Sequence, residues 1–227
     1  MLLVDRFLSD DTYRAFHLND LQRSASADLG RPLVVQLGGN DVDKICQVAK
    51  ILCQPGSDGP LCDAIDLNLG CPQRNAKDGH YGAYLLQPSD WPLVVDIVGT
   101  LSTQLAPWNI PVLVKLRLCN PASLTPQLAV QLARAGACAI ALHARHVSAT
   151  RRRKGPAELK WVKEVKAALV REGLHPKTKV ISNGNVRVPE DIGANLDNTE
   201  ADGIMVGEAL LANPRCACIA SIIDSNE

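Results

Sequence analysis

The segment Asp63–Leu86, DAIDLNLGCPQRNAKDGHYGAYLL, decides the fold of this chain. It begins as a β-strand, in which apolar, sheet-favouring residues alternate with Asp66 and Asn68. The strand ends at Gly70–Pro72, because proline cannot continue a ladder and glycine permits a tight bend. Cys71 therefore lies just past the carboxyl end of a strand, at the head of a polar loop. Active sites of α/β proteins lie at such strand ends.

The composition is ordinary for a globular domain with one core. Of 227 residues, 46% are hydrophobic and 21% are charged, and the formal net charge is zero. No apolar run approaches the roughly 18 residues of a membrane span, and charges follow the first residues too soon for a signal peptide. We expect a cytoplasmic protein, also found in the nucleus in part, with no membrane partner and no evident protein partner.

Eight cysteines are scattered over the chain. Their spacing matches no zinc site, and Cys216 and Cys218 are too close for the usual metal clip. We interpret them as thiols in a reducing compartment and predict no metal site. Cys71 differs by its position in a glycine-flanked loop. Since no adjacent base is evident that would form a thiolate, a neutral Cys71 suits a proton donor better than a nucleophile.

Strand and helix patterns alternate along the whole chain, which predicts parallel strands joined by helical crossovers. Besides the strand of the Cys71 segment, we predict strands at Met1–Val4, Pro32–Leu37, Pro111–Leu116, Cys138–His143, Thr178–Ser182 and Asp202–Val206. Helices are expected between them, for instance from Asp41 to about Cys53. A (β/α)8 barrel has eight such strands. The predicted fold is therefore a TIM-type α/β barrel that lacks its first βα unit.

Polar residues recur where these apolar strands end. They are Gln36, Asp66, Asn68, Lys115, Arg117, His143, Arg145 and Asn183. Those spaced by two residues project to the same side of their strand. If that side faces the barrel axis, all of them converge at the carboxyl-end mouth, where barrel active sites lie. One polar strand end is routine, but five such ends are hard to explain as ordinary surface.

The last two predicted strands end in glycine-containing turns, Asn183-Gly184-Asn185 and Gly207-Glu208. Either turn alone is more simply an ordinary turn. Backbone amides at such turns bind phosphate, however, and the loops after strands 7 and 8 are the usual phosphate site of this fold. Together they predict a phosphate-bearing ligand, plausibly flavin mononucleotide (FMN).

A dense basic loop interrupts the otherwise neutral sequence. It contains Arg145, His146, Arg151, Arg152, Arg153 and Lys154. Such a loop is either a solvated surface segment or, at the mouth of a barrel, a site for the backbone phosphates of an RNA. The sequence alone leaves both interpretations open.

Several segments resemble the tRNA-dihydrouridine synthases, in particular the eukaryotic branch that modifies uridines 16 and 17 of the D-loop. The most specific are Asp66–Gln73, Lys115-Leu116-Arg117, His143-Ala144-Arg145, Asn183-Gly184-Asn185 and Gly203–Glu208. The resemblance implies FMN and NADPH (or NADH) as cofactors and tRNA as the partner. Hydride would pass from the flavin to a flipped uridine, and Cys71 would protonate the opposite side of the ring.

The resemblance also implies roles for individual residues. Gln36, Lys115 and His143 would contact the flavin, while Asn183, Gly184, Asn185, Gly207 and Glu208 would hold its phosphate. Asn68 would position the base. Many family members have arginine at the position of Glu208, so this chain lacks a cation that could meet the phosphate there.

We expect residues 1–227 to form an FMN-binding barrel domain without the family's first strand and without its C-terminal helical tRNA-binding domain. Two other interpretations remain open. One is a flavin reductase for small molecules on the same barrel. The other is a shortened form that is catalytically incompetent.

Overall fold

The computed structural model describes residues 1–26, 32–55, 59–147 and 155–217. In these ranges strands and helices alternate, as the sequence predicts. The strands are β1 (Leu2–Leu3), β2 (Val34–Gly38), β3 (Ala64–Leu69), β4 (Val112–Leu118), β5 (Ala139–His146), β6 (Lys179–Asn183) and β7 (Gly203–Met205). The helices are α1 (Val4–Ser9), α2 (Asp11–Ser26), α3 (Val42–Cys53), α4 (Arg74–Asp78), α5 (Trp91–Leu105), α6 (Thr125–Arg134), α7 (Lys160–Arg171), α8 (Glu190–Thr199) and α9 (Glu208–Ala212).

The strands form one seven-stranded sheet in the order β1 to β7, and every neighbouring pair is parallel. A sheet with this sequential order and helical crossovers has the architecture of a TIM barrel. Within the described ranges β1 and β7 pair on one side only, so the ring of strands is open between them. The predicted α/β barrel with seven strands is confirmed.

The hydrophobic core lies on the outer face of the sheet, under the helices. Alternate strand residues point to this face and are almost fully buried; they include Leu37, Ile65, Leu67, Val114, Leu116, Ile140, Leu142 and Val180. The apolar faces of α3, α5, α6 and α7 cover them. Because each fully buried aliphatic side chain contributes about 1.5–3 kcal/mol, this layer supplies most of the folding free energy.

Local signals in the sequence set the helix ends. The Asp41 side chain accepts a hydrogen bond from the Lys44 amide at 3.0 Å, which confirms it as the N-cap of α3. Asp90 lies at the N-cap position of α5 but makes no capping bond, because its carboxylate contacts His80 instead. No helix in the described part of the chain is long and apolar enough to cross a membrane.

Helices α1 and α2 lie beside the outer edge of β1. The polar composition of Ser9–Asp20 favours a loop and a helix, whereas the structure has two nearly continuous helices from Val4 to Ser26. The Tyr13 hydroxyl on α2 accepts a hydrogen bond from the Leu3 amide at 3.1 Å. A helix that satisfies an edge amide in this way blunts the tendency of an open strand to pair with another chain.

Candidate active site

The inner face of the sheet carries the polar residues that the sequence places at strand ends. Cross-strand register puts them in three rows: Gln36 beside Asp66, then Asn68 beside Lys115, then Arg117 beside His143 and Asn183. From one row to the next, the polar position shifts by two residues toward the carboxyl end of the shared strand. Because the strands of a barrel are tilted against its axis, this shift keeps the polar groups at a similar height around the mouth.

A hydrogen-bonded chain of side chains connects β2 and β3. The Asp66 carboxylate accepts from Gln36 Nε2 at 2.7 Å, and Gln36 Oε1 accepts from Asn68 Nδ2 at 2.6 Å. Asp66 is 6% exposed and Asn68 is 7% exposed. Burial raises the pKa of Asp66 to about 6, although the bond from Gln36 and the charge of Lys115 oppose this shift.

The same chain ends at the backbone of the Cys71 loop. Asn68 Oδ1 accepts from the amides of Gly70 and Cys71, at 3.0 and 2.9 Å. Arg117 Nε donates to the Gly70 carbonyl at 2.8 Å. The peptide group between Gly70 and Cys71 is therefore held at both its N–H and its C=O, and Cys71 itself is half-buried.

Gly82 lies against Cys71 on the return path of the loop. Its φ is +67°, and a Cβ atom there would come within 3.0 Å of both the Cβ and the carbonyl oxygen of Cys71. The Ala83 amide also donates to the Cys71 carbonyl, at 3.1 Å. Glycine is thus required at this position both by the backbone conformation and by the closeness of Cys71.

Two further contacts fix the outer part of the loop. Asn40, which follows β2, donates through Nδ2 to the His80 carbonyl at 3.0 Å. The His80 imidazole contacts the Asp90 carboxylate at 2.9 Å, at the start of α5. His80 has a positive φ of +46°, so these contacts hold a left-handed residue in place. The loop is anchored to the ends of β2 and α5 as well as to β3.

Basic side chains line the inner face of β4 and β5, on the side of β3 away from Gln36. Burial lowers the pKa of Lys115, while the Asp66 carboxylate partly offsets this effect. For His143, burial followed by the charges of Arg117, Lys115 and Arg145 lowers the pKa to about 3. His143 is therefore neutral at physiological pH and offers one N–H donor and one acceptor nitrogen.

The inner face fits an acceptor-rich, anionic ligand such as a flavin nucleotide. The Lys115 side chain makes no hydrogen bond within the described part of the chain, so its ammonium group is available to a ligand. Next to it on the inner face lies Ala141, followed along the same row by Ile181 and then Gly203. The small side chain of Ala141 leaves room beside Lys115, over β5, for a flat group.

The turn after β6 uses its side chains to hold the fold. Asn183 Nδ2 donates to the Met205 carbonyl at 2.7 Å, and the Asn185 side chain bonds both backbone groups of Ala157, at 2.8 and 3.0 Å. At Gly184, with φ +127°, a Cβ would lie 2.8 Å from the Ala157 side chain. With both side-chain amides engaged in these bonds, a phosphate contact from Asn183, Gly184 and Asn185 stays a prediction and would come from their backbone amides.

The remaining predicted residues lie at the rim of the mouth or outside the described ranges. Gly207 and Glu208 are exposed and open the short helix α9. Arg145 follows His143 on β5 and is half-buried. Arg151, Arg152, Arg153 and Lys154 lie outside the described residues, so their contact with RNA stays a prediction.

Comparison with known families agrees with this geometry. A family model described as "Dihydrouridine synthase (Dus)" matches residues 1–224 of the chain. The chain belongs to the dihydrouridine synthase family.

Among curated proteins, relatives in this family are about one-third identical to the chain. The tRNA-dihydrouridine(16/17) synthase [NAD(P)(+)] of Saccharomyces cerevisiae is 33% identical over 94% of this chain and 46% of its own length. The Schizosaccharomyces pombe protein of the same name is 35% identical, over 82% of this chain and 42% of its own length. The chain thus spans less than half the length of these relatives.

Solved structures with the same fold include flavoenzyme barrels. A mandelate oxidase mutant with benzaldehyde superposes with a TM-score of 0.56 at 19% identity, over 87% of this chain and 55% of that one. The same mutant with a monooxide FMN adduct gives 0.54 at 20% identity, over 89% and 57%. At this identity the likeness concerns the fold, which matches the TIM barrel of the dihydrouridine synthase family.

Some residues of this site are not among the predicted site residues. The sequence identifies Asp66 only as a polar strand end, and it assigns no role to Asn40 and His80. Asp66 carries a usable signal, because a carboxylate in an otherwise apolar parallel strand needs a buried partner. Asn40 and His80 carry none, since their contact joins loops that are distant along the chain.

Proposed function

We propose that this chain forms the FMN-binding barrel of a tRNA-dihydrouridine synthase, which reduces a D-loop uridine of tRNA to 5,6-dihydrouridine with NAD(P)H. The family match and the relatives acting on uridines 16 and 17 support this proposal. The observation that carries it is the seating of Cys71 at the polar mouth, where its peptide is held by Asn68 and Arg117.

Lys115 and His143 are the residues best placed to hold FMN, with Gln36 at the side of the same face. When bound, FMN would supply the hydride for the uracil ring after reduction by NAD(P)H. The Lys115 ammonium can meet a ring oxygen of the flavin, and neutral His143 can donate one hydrogen bond. The amides of Asn183, Gly184 and Asn185, with Gly207 and Glu208, would surround the phosphate.

Cys71 is the proposed proton donor. It lies on the loop above the inner face, and its backbone is fixed on three sides by Asn68, Arg117 and Gly82. A thiol that keeps its proton until transfer suits protonation of a carbon better than attack on it. The target uridine has to leave its stack to reach this group, because its ring is otherwise covered.

The proposed tRNA contacts lie on the rim beside β5. Arg145, with Arg151, Arg152, Arg153 and Lys154, would meet backbone phosphates, while Asn68 would orient the base. Cation–phosphate contacts of this kind supply affinity that falls as salt increases. We place the reaction in the cytoplasm and, for part of the molecules, in the nucleus.

A direct test combines flavin binding with product analysis. The purified chain is titrated with FMN and its visible spectrum recorded, and then it is incubated with NADPH and unmodified tRNA. We expect a bound-flavin spectrum and dihydrouridine detected by mass spectrometry of digested tRNA. A chain that binds FMN and oxidises NADPH without forming dihydrouridine would favour the small-molecule reductase. A chain that binds no FMN would contradict the cofactor proposal.

A further inference from the structure

The order of donors and acceptors between Asp66 and Cys71 runs in one direction. The Asp66 carboxylate only accepts, so Gln36 turns its amide nitrogen toward it at 2.7 Å. Gln36 then presents its oxygen to Asn68 Nδ2 at 2.6 Å. Asn68 is left with its oxygen toward Gly70 and Cys71, where it accepts two backbone amides. A carboxylate two strand positions below Asn68 thus sets the orientation of both amides above it.

We infer that Asp66 and Gln36 are positioning residues, which act through Asn68 to fix the place of Cys71. Reversing the Asn68 amide would set donor against donor at the Gly70 and Cys71 amides. Because Asp66 and Asn68 are buried, water cannot replace a lost partner at low cost. The role of Cys71 as proton donor rests on the proposed function, but the positioning of its backbone does not.

We call Asp66, Gln36 and Asn68 the relay. Because Asp66 and Asn68 are buried, substitutions that exchange the hydrogen-bond donors and acceptors of the relay test whether their order matters. Gln36→Glu places two carboxylates where the amide and carboxylate now lie 2.7 Å apart, so they must share a proton. With that proton the order of donor and acceptor is kept; without it the two groups repel each other. Gln36→Glu combined with Asp66→Asn reverses the bond between the two positions, with the donor at position 66, and keeps an acceptor at position 36 for Asn68 Nδ2; it has the same total charge as the wild type and no shared proton.

Other charged groups around the relay are unchanged by these substitutions. Those facing the Gln36–Asp66 pair are Lys115 from β4, the amino group of Met1 before β1, and His17 and Asp20 from α2. None of them is substituted in any variant, and Asp66 itself titrates in the wild type, so the effect assigned to the new pair of carboxylates is the difference in pH dependence between Gln36→Glu and the wild type. Gln127→Glu, on an exposed position of α6, is the matched control for the chemical change.

The experiment measures how fast iodoacetamide alkylates Cys71 in the purified chain, with half-buried Cys138 as the internal standard. Peptide mass spectrometry gives both rates, and hydrogen exchange of the Gly70 and Cys71 amides is followed in parallel. None of these readouts requires FMN or tRNA. They therefore separate failure of this inference from failure of the proposed function.

We expect Gln36→Glu to match the wild type at low pH and to change the Cys71 rate and amide exchange by about tenfold as the shared proton is lost at higher pH. The double variant should match the wild type at neutral and higher pH, where its single carboxylate is ionised like that of the wild type, and Gln127→Glu should match the wild type at every pH. An unchanged Gln36→Glu would overturn the relay. If Gln36→Glu also changes the alkylation rate of Cys138, the double variant alone decides between the outcomes. Wild-type alkylation rates at both cysteines in the double variant support the relay. A changed rate that persists at Cys71 rejects it.

Discussion

Cys71 lies in a peptide whose N–H and C=O are both held by side chains, Asn68 and Arg117. Such a fixed thiol is suited to deliver a proton at one place. We expect Cys71→Ala to retain bound FMN and to lose about 10²–10⁴-fold in dihydrouridine formation, as for other positioned acids. Cys138→Ala, which removes another half-buried thiol, should leave both unchanged. Full activity of Cys71→Ala would exclude it as the acid.

Gly82 offers a second test on the same loop. Gly82 and Gly173 share a φ of +67°, but a Cβ at Gly82 would meet Cys71 at 3.0 Å, whereas nothing lies within 4 Å of one at Gly173. Alanine should cost about 1 kcal/mol of unfolding free energy at either site through backbone strain. Only Gly82→Ala should also lose activity, by about 10²-fold, because it displaces Cys71. Equal activities would show that the contact is unimportant.

A substitution at Lys115 tests the binding of FMN. Its ammonium group makes no hydrogen bond within the described residues and faces the inner side of the sheet. We expect Lys115→Ala to weaken FMN binding by about tenfold or more, since a charge-assisted hydrogen bond is lost. Equilibrium titration of flavin fluorescence measures this, with the exposed Lys163→Ala on α7 as control. Unaltered affinity would remove Lys115 from the site.

The candidate site residues could be predicted because polar groups interrupt apolar strands at Gln36, Lys115 and His143. Their partners could not be predicted. The bonds from Asn185 to Ala157 and from Asn40 to His80 join positions far apart in the sequence. Such contacts depend on loop geometry and strand register, which the local pattern of residues does not contain.

At the scale of elements, Asp202 joins α7, β6 and the start of β7 at the amino-terminal end of the sheet. Its carboxylate accepts from Lys166 at 2.6 Å, from His175 at 3.0 Å and from the Val180 amide at 2.7 Å. Burial raises the pKa of Asp202, but these hydrogen bonds outweigh it and hold the pKa below its usual range. Packing at this end of a barrel serves stability, since the active site lies at the other end.

We expect Asp202→Asn to lower the free energy of unfolding by about 1–3 kcal/mol at neutral pH. Because the folded pKa is depressed, the contribution of Asp202 is fully present above the unfolded pKa of about 3.9 and is lost as the pH falls through the folded value. The variant and the wild type should therefore converge in acid. Urea unfolding at several pH values measures this, with the exposed Asp197→Asn as control. A pH-independent difference would contradict the ionic account.

Element types followed from the sequence better than element ends. The strand predicted at Cys138–His143 extends to His146, where the register with Leu118 shifts. The amphipathic pattern of Ala157–Arg171 predicts a helix over that range, but the helix begins at Lys160, because the backbone of Ala157 bonds the side chain of Asn185. In both cases a contact with a neighbouring element moves the boundary that local propensity suggests.

For the whole molecule, the open ring predicts a gradient of stability across the sheet. β4 and β5 pair on both sides under helices, whereas β1 pairs at two residues and β7 at three. We expect amide hydrogen exchange to be slowest in β3–β5 and faster toward β1 and β7. Mass spectrometry of peptic fragments would measure it. Equal protection in β1, β4 and β7 would show that the two outer strands are covered by something else.

The two faces of the sheet also differ in what limits their residues, which is folding on the outer face and activity on the inner face. Within each strand, every second residue packs under helices, and the residues between them face the interior of the barrel, with the polar ones toward the mouth. A saturation library of β3 and β4 should therefore show tolerance that alternates from codon to codon. Positions such as Leu67 and Val114 would accept other aliphatic residues and reject charge. The neighbouring Lys115, whose side chain bonds no other described residue, would accept many residues in a screen for solubility and almost none in a screen for dihydrouridine.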